Sequence, residues 1–399
     1  MQVWAGVDAG KTGHHCVAID TDGTRLLSRK VRNDEEDLTS LIAEVNALGT
    51  DVVWATDLNR GGASLMIALL HAHGQRLMYI PGRTVHHASR LYRGDGKTDA
   101  KDAAVIADQA RMRHDLQPLR TGDEVSADLR ILTARRADIA EDRTRAINRL
   151  RATLLEYFPA LEAAFDYSRS KAALTLLTRH STPDGIRRCG QSRLQAWLKK
   201  QGARSSAAVA EAAVAAARRQ HTVVPGQGAG ALAVAGLAKE VLRIQDELAG
   251  LDALIAERAA EHPHTEVITS MPGFGPLLAA EFLAATGGDL GMFENADRLA
   301  AVAGLAPVPR DSGKITGNHR RPQRYDRRLL RVFYLAALSS LKSSPESRAY
   351  FDRKRVEGKT HVQAILCLAR RRVNVLWAML RDRSAYAPPG QALVIPAAA

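Results

Sequence analysis

The sequence predicts an α/β domain followed by an all-α remainder. Over residues 1–118, short apolar runs alternate with turn residues and with helically spaced segments. Residues 124–158 and 228–260 carry long apolar stripes, and from 264 onward the apolar period stays helical.

Residues 2–8 alternate and meet Ala9-Gly10, which marks a strand entering a turn. Residues 15–20 form a second strand, and Asp22-Gly23 turns the chain into a third, 25–31. Helical spacing through Leu38, Leu41, Ile42 and Val45 sets a helix at 37–48. An apolar strand follows at 51–57, then a helix at 63–73, a strand at 76–80 and a helix at 99–113. The order βββαβαβα implies a mixed sheet with helices on its faces.

The stripe in 124–158 is broken: Val125, Leu129, Leu132, Ile139, Ala146 and Leu150. In 228–260 the positions Val234, Leu237, Val241, Ile244, Leu248, Leu251 and Ile255 step alternately by three and four, an a/d seam. The pair reads as an antiparallel helical stalk with an insertion at about 160–227, which holds an Ala-rich helix at 206–219. The expected divisions are 1–120, 121–262 and 263–385, with a disordered, proline-containing tail at 386–399.

Lys plus Arg total 56 against 43 Asp plus Glu, a net charge of +13. That excess favours a polyanionic partner, most often nucleic acid. Aromatics make up 5% of the chain, too few for a grip resting mainly on base stacking. Cys16, Cys189 and Cys367 provide neither a disulfide framework nor a paired zinc spacing, which fits a reducing cytoplasm. Neither a membrane span nor a secretion signal is expected.

Asp8 ends the first strand and Asp57 ends a later, buried one. Asp99 and Asp102 are spaced i,i+3 and share one helix face. The loop Gly94-Asp95-Gly96-Lys97 delivers that pair. Four converging carboxylates repel one another unless a cation neutralises them, and Mg²⁺ (with Mn²⁺ as a substitute) suits an all-oxygen site. Taken singly, a strand-end Asp is also a turn residue, and Asp99 and Asp102 are also ordinary first-turn helix charges.

These residues resemble the N-terminal domain of a bacterial insertion-sequence transposase family, the one-hundred-and-ten family of bridge-RNA-guided recombinases. The carriers are Asp8 in VDAGK, the later strand carboxylate, and the pair in KTDAKDA. The resemblance implies a ribonuclease-H-like fold similar to the junction resolvase RuvC, with an acidic DEDD tetrad on Asp8, Asp57, Asp99 and Asp102. Asp57 stands where the family usually has Glu, one methylene shorter.

In the last third, Met271-Pro272-Gly273-Phe274-Gly275-Pro276 precedes an apolar helix at 277–285. It reads as half of a helix-hairpin-helix element whose N–H groups near Gly273 and Gly275 could hold a phosphate, or as a turn that caps a helix. Next comes AGLAPVPRDSGKITGNHRRPQRYDRRLLR. Ser312 precedes Gly313 in a segment too polar for core; on residues alone it is a nucleophile or a turn residue. Arg310, Lys314, Arg320, Arg321, Arg324, Arg327 and Arg328 surround it with the positive charge a pentacovalent phosphorus needs. Helices at 327–342 and 360–382 close the chain; Arg370, Arg371, Arg372, Arg381 and Arg383 on the last are phosphate contacts or a solvated face.

AGLAPVPRDSGK…TGN with its arginine-rich run resembles the transposase domain of the same family. The resemblance implies that Ser312 is the nucleophile, that DNA is joined through a phosphoserine link in a composite site with the tetrad, and that an element-encoded RNA chooses donor and target duplexes. It also implies homodimers or homotetramers. Three alternatives stand beside this reading. A RuvC-like metal-only nuclease would use water in place of Ser312. An actin/hexokinase-type kinase would need a second Asp-x-Gly-Gly loop, which the sequence lacks. A catalytically dead nucleic-acid-binding protein would not need the intact carboxylates and serine.

Overall fold

The structure is a computed structural model, and it describes residues 1–92, 96, 98–119, 123–313, 316–320 and 322–388. The chain divides into two compact units, Met1–Asp123 and Glu124 onward.

The first unit is built on strands β1 (Gln2–Ala9), β2 (Gly13–Ile19), β3 (Arg25–Arg32), β4 (Asp51–Thr56), β5 (Arg76–Tyr79) and the two-residue β6 (Gln117–Pro118). They form one mixed sheet in the order β3-β2-β1-β4-β5-β6. β1, β2 and β3 are antiparallel neighbours, whereas β4 lies parallel to β1 and β5 parallel to β4. The β2–β3 turn closes as Asp22-Gly23 requires: Asp20 Oδ1 accepts from the N–H groups of Asp22 (2.9 Å) and Thr24 (2.8 Å). The helices are α1 (Glu35–Ala47), α2 (Ser64–Ala72), α3 (Gly82–Ser89) and α4 (Asp99–Met112).

Strand alternation sorts the two faces. Val3, Ala5, Val7 and Ala9 of β1, Cys16 and Ala18 of β2 and Trp54 of β4 pack with Leu38, Leu41 and Leu70 from α1 and α2. The opposite face carries Val17, Ile19 and Ala55 and receives α4 through Ala103, Ala107 and Ile106. Helix α3 was not anticipated, because within it only Val85 and Ala88 are buried and they make no readable stripe. Cys16 is buried, and burial pushes its thiol up to about 12.

The second unit is helical: α5 (Glu124–Tyr157), α6 (Pro159–Glu162), α7 (Lys171–Leu177), α8 (Pro183–Cys189), α9 (Gln191–Lys200), α10 (Ser206–Arg218), α11 (Gln227–Ala260), α12 (Thr265–Ser270), α13 (Pro276–Thr286), α14 (Ala296–Val302), α15 (Arg327–Ser340), α16 (Pro345–Val356) and α17 (His361–Arg381). A two-stranded ribbon, β7 (Val308–Pro309) and β8 (His319–Arg320), interrupts it. α5 and α11 run antiparallel, clasped by Arg258–Asp128 (2.8 Å), Arg136–Asp252 (3.2 Å) and Arg135–Glu247 (3.1 Å).

Two apolar cores occupy opposite ends of this pair. One gathers Leu150, Leu154, Val234 and Val241 with α7 to α10. The other gathers Leu129 and Ile255 with α12 to α17. Between them the seam thins: Ile139 and Ile244 are buried, while Leu248 is half-buried. α16 escaped sequence reading because within it only Ser347 and Phe351 are buried. Tyr386, where a disordered tail was expected to begin, donates its N–H to Ser270 Oγ at 2.9 Å; residues 389–399 lie outside the described residues.

Candidate active site

Three elements set the four N-terminal carboxylates. Asp8 is on β1 and its register partner on β2 is His15. On the other side Val7 pairs with Thr56, so Asp8 and Asp57 follow at matching positions of parallel neighbours. By alternation both side chains leave the sheet on the face that α4 covers.

α4 lies directly on β1 at Gly6. A Cβ there would stand 2.3 Å from Ala103 O and 2.3 Å from Ala107 N, so only glycine permits the approach. Asp99, Ala103 and Ala107 form one i,i+4 stripe, which leads Asp99 toward β2 and β3. There its Oδ2 lies 3.5 Å from Lys30 Nζ. Asp102 shares a stripe with Ile106, which packs against Ala55 of β4. Asp102 therefore leans toward the Asp57 side of the sheet. Thr98 caps the helix, its hydroxyl accepting from Lys101 N–H at 3.2 Å, and places both carboxylates in the positive first turn. Of Gly94-Asp95-Gly96-Lys97, all but Gly96 lie outside the described residues.

Asp57 stands beside the start of α3, with Oδ2 3.5 Å from where a Cβ on Gly82 would be. Burial raises the Tyr79 hydroxyl, and the charge of Asp57 raises it further. His15 is lowered, first by burial; Asp99 opposes that shift and Lys30 adds to it. Its Nε2 shares a hydrogen with Ser28 Oγ at 3.0 Å. His15 and Lys30 are residues of this face that sequence reading missed. The Asp8–His15 pairing was available from the β1–β2 turn, whose two-fold alternation puts both on one face.

The donor set is all carboxylate, on one face at one end of a sheet, and it fits a hard divalent cation by its chemistry. In this arrangement no three His, Cys, Asp or Glu side chains among the described residues stand close enough to hold an ion. The fold brings the four to one face and leaves their side chains spread.

In the second unit, Ser312 sits exposed in the loop that joins β7 to β8. The loop is clasped at its base. Arg310 N–H donates to Asn318 O at 2.7 Å, and Asn318 N–H donates to Asp311 Oδ1 at 3.0 Å. Gly313 (φ 56°) and Gly317 (φ 78°) take the left-handed conformations that turn the chain. The Asp311–Asn318 clasp also escaped sequence reading, since its partners are seven positions apart and no periodicity links them.

Arg310, Arg320, Arg324, Arg327 and Arg328 are exposed; Lys314 and Arg321 lie outside the described residues. Asp326 caps α15 by accepting from Arg328 N–H at 2.8 Å and Leu329 N–H at 2.9 Å. Arg328 and Arg331 line a groove of about 540 Å³ with Arg136 and Arg145 of α5, against Glu141 and Glu281.

The Met271–Gly275 turn joins α12 to α13. Gly273 has φ 88°, and a Cβ there would stand 2.2 Å from Ala336 O, so the turn is packed against α15. Gly275 is exposed, with open space around its Cα. Arg372 Nη2 donates to Pro272 O. The last helix is therefore not uniformly solvated: Arg371 is exposed and Arg372 is buried.

Residues 5–159 match a transposase family model of the IS110 DEDD type, and residues 265–352 match the transposase IS116/IS110/IS902 family. The chain is similar to the 42 kDa protein of insertion element IS900 from Mycobacterium paratuberculosis, 61% identical over 97% of each chain. It is 49% identical to the 44.8 kDa protein of IS116 from Streptomyces clavuligerus, over 97% of this chain and 96% of that one. With the 43.6 kDa protein of IS110 from Streptomyces coelicolor the identity is 36%, over 96% and 95%.

Proposed function

The chain belongs to the IS110 family of transposases and carries a DEDD-type domain, and on that premise we propose that it cuts and rejoins DNA through Ser312. One observation carries the proposal: Ser312 is exposed on a loop whose base is clasped, among exposed arginines. A hydroxyl so placed reaches a phosphate without being part of any core.

Ser312 Oγ bonds to phosphorus as the bond to one strand's sugar oxygen breaks. The departing oxygen takes up a proton while the serine loses its own. An incoming sugar hydroxyl then attacks the same phosphorus as the Ser312 Oγ–P bond breaks; the hydroxyl gives up its proton and Ser312 Oγ takes one up. The ester keeps the energy of the broken bond, so no nucleotide triphosphate is consumed. Arg310, Arg320, Arg324, Arg327 and Arg328 supply positive charge to the crowded phosphorus.

Asp8, Asp57, Asp99 and Asp102 would hold Mg²⁺ or Mn²⁺, which when bound supplies Lewis-acid polarisation of a phosphate oxygen. Gly275 offers backbone N–H groups to DNA at the start of α13. The net charge of +13 suits a guide RNA, and the resemblance to the family brings that RNA and a homodimer or homotetramer into the proposal.

The test is a denaturing gel of the chain incubated with labelled DNA and Mg²⁺. A heat- and detergent-stable adduct is expected, and Ser312→Ala should lose it while still binding DNA. Cleavage by Ser312→Ala at the unaltered rate, with no adduct, would replace this reading with a metal-only nuclease. Nucleic-acid extraction from the purified protein checks the RNA: one species near equimolar supports guidance, and a random mixture opposes it.

A further inference from the structure

We infer that the cavity between α16 and α17 is a phosphate-binding pocket, with Arg353, Arg371 and Arg372 as its cationic walls. The inference rests on this pocket alone; Ser312 and the acidic face play no part in it.

Arg372 is the starting point. It is 4% exposed, on the face of α17 that also buries Leu368 and Leu376. Its Nη2 donates to Pro272 O, and its Nη1 reaches Ser347 Oγ only at 3.5 Å. Its Nε is buried with no hydrogen-bond partner among the described residues, and no carboxylate there pairs with it. A buried guanidinium normally carries a carboxylate, because a lone charge and an open donor in the interior are both costly. Burial already pushes this one down to about 10.

Arg372 lines a cavity of about 290 Å³ together with Arg353, Arg371, Tyr350 and Tyr386. The Tyr350 ring gathers the other cations: Arg353 lies 5.0 Å and Arg371 5.3 Å from its centroid. One acid, Glu346, shares the wall, and its Oε2 accepts from Ser344 Oγ at 3.0 Å. Tyr386 closes one side, held by its N–H to Ser270 Oγ. Three guanidinium groups facing one small cavity, one of them with a donor unused, match a multi-oxygen dianion better than a carboxylate. A guanidinium fork meets two phosphate oxygens at once. The space suits a phosphate group with a sugar attached and is small for a larger ligand.

The experiment uses the full chain freed of nucleic acid, titrated calorimetrically with inorganic phosphate at constant ionic strength. Saturable binding is expected. Arg371→Gln and Arg353→Gln, both at exposed positions, should each weaken it about tenfold, the worth of one charge-assisted hydrogen bond. Arg372→Lys should weaken it as well; if that variant misfolds, the other two decide. Arg381→Gln removes the same charge from the same helix, where Arg381 pairs with Asp382, and should bind phosphate unchanged. Displacement of phosphate by a DNA duplex would identify the backbone of nucleic acid as the source; displacement by adenosine monophosphate and not by the duplex would identify a small phosphate ester. No saturable binding, or equal weakening by Arg381→Gln and Arg371→Gln, would overturn the pocket.

Discussion

The acidic face of the first unit and the Ser312 loop of the second are held in place by opposite means. Each carboxylate inherits its position from an element that packs elsewhere: β1 and β4 by register, α4 by its seat on Gly6. Among the described residues, Ser312 inherits its position from the Arg310–Asn318 and Asp311–Asn318 hydrogen bonds and from the left-handed Gly313 and Gly317. Carboxylates proposed to share a cation need a frame that resists their repulsion. The proposed role of Ser312, attack on a large substrate, needs exposure, and a clasp suffices to aim it.

The contrast can be broken first at the acidic face. Asp102→Ala should lower DNA cleavage by about a thousandfold, the scale of losing a metal ligand's contribution. Its circular dichroism and melting should stay unaltered, because Asp102 is half-exposed and outside the core. Retained activity in this variant, or in excess chelator, would remove the metal role.

Next, Gly6→Ala should unseat α4 and cost about 3 kcal/mol, since the new Cβ meets backbone that cannot rotate away. Hydrogen exchange over α4 should accelerate while exchange in the second unit stays slow. An unaltered exchange pattern would mean that α4 is not fixed by this contact.

Loosening the clasp is a milder change. Asp311→Ala should slow adduct formation by about fivefold to tenfold, matching the loss of one hydrogen bond of about 1 kcal/mol, with global stability intact. Equal rates would show that the loop is ordered by something other than Asp311.

The smallest effect concerns pH. His14 is 1% exposed, and burial holds its pKa below 6.5; its hydrogen bond to Asn33 at 3.1 Å only partly opposes this. The unfolded chain therefore takes up a proton that the folded one resists. Stability should be fully present above pH 6.5 and decline as pH falls from there toward the folded value. His14→Gln should flatten that slope in melts taken between pH 7.5 and 5. A slope of the same size in the variant would assign it to other groups.

Much of this protein was legible locally. Two-residue alternation and three-to-four spacing located β1 to β5, α1, α2, α4, α5 and α11 to within a few residues. These periods arise from backbone geometry and from the need to bury one face, so they are written into neighbouring residues. Asp8 and Asp57 stood out as carboxylates at strand ends, Asp99 and Asp102 by their i,i+3 spacing, and Ser312 by its place before Gly313 in a polar, basic segment.

What local pattern does not contain is which face meets which partner. Arg372 reads as one of three consecutive arginines, yet the packing of α17 buries it and leaves Arg371 exposed. Its place on the stripe of Ile365, Leu368 and Leu376 was a usable sign, but the cavity beside it needs α16, which buries too little to announce itself. Asp57 reads as the end of a buried strand, and the structure sets it beside Gly82 of an unanticipated helix. By itself, then, the sequence determined most of the elements, their order and which residues are candidates for chemistry, because each depends on neighbours along the chain. Only the tertiary structure decided which of those residues share a surface, because that depends on contacts between segments far apart in sequence, whose burial is settled jointly.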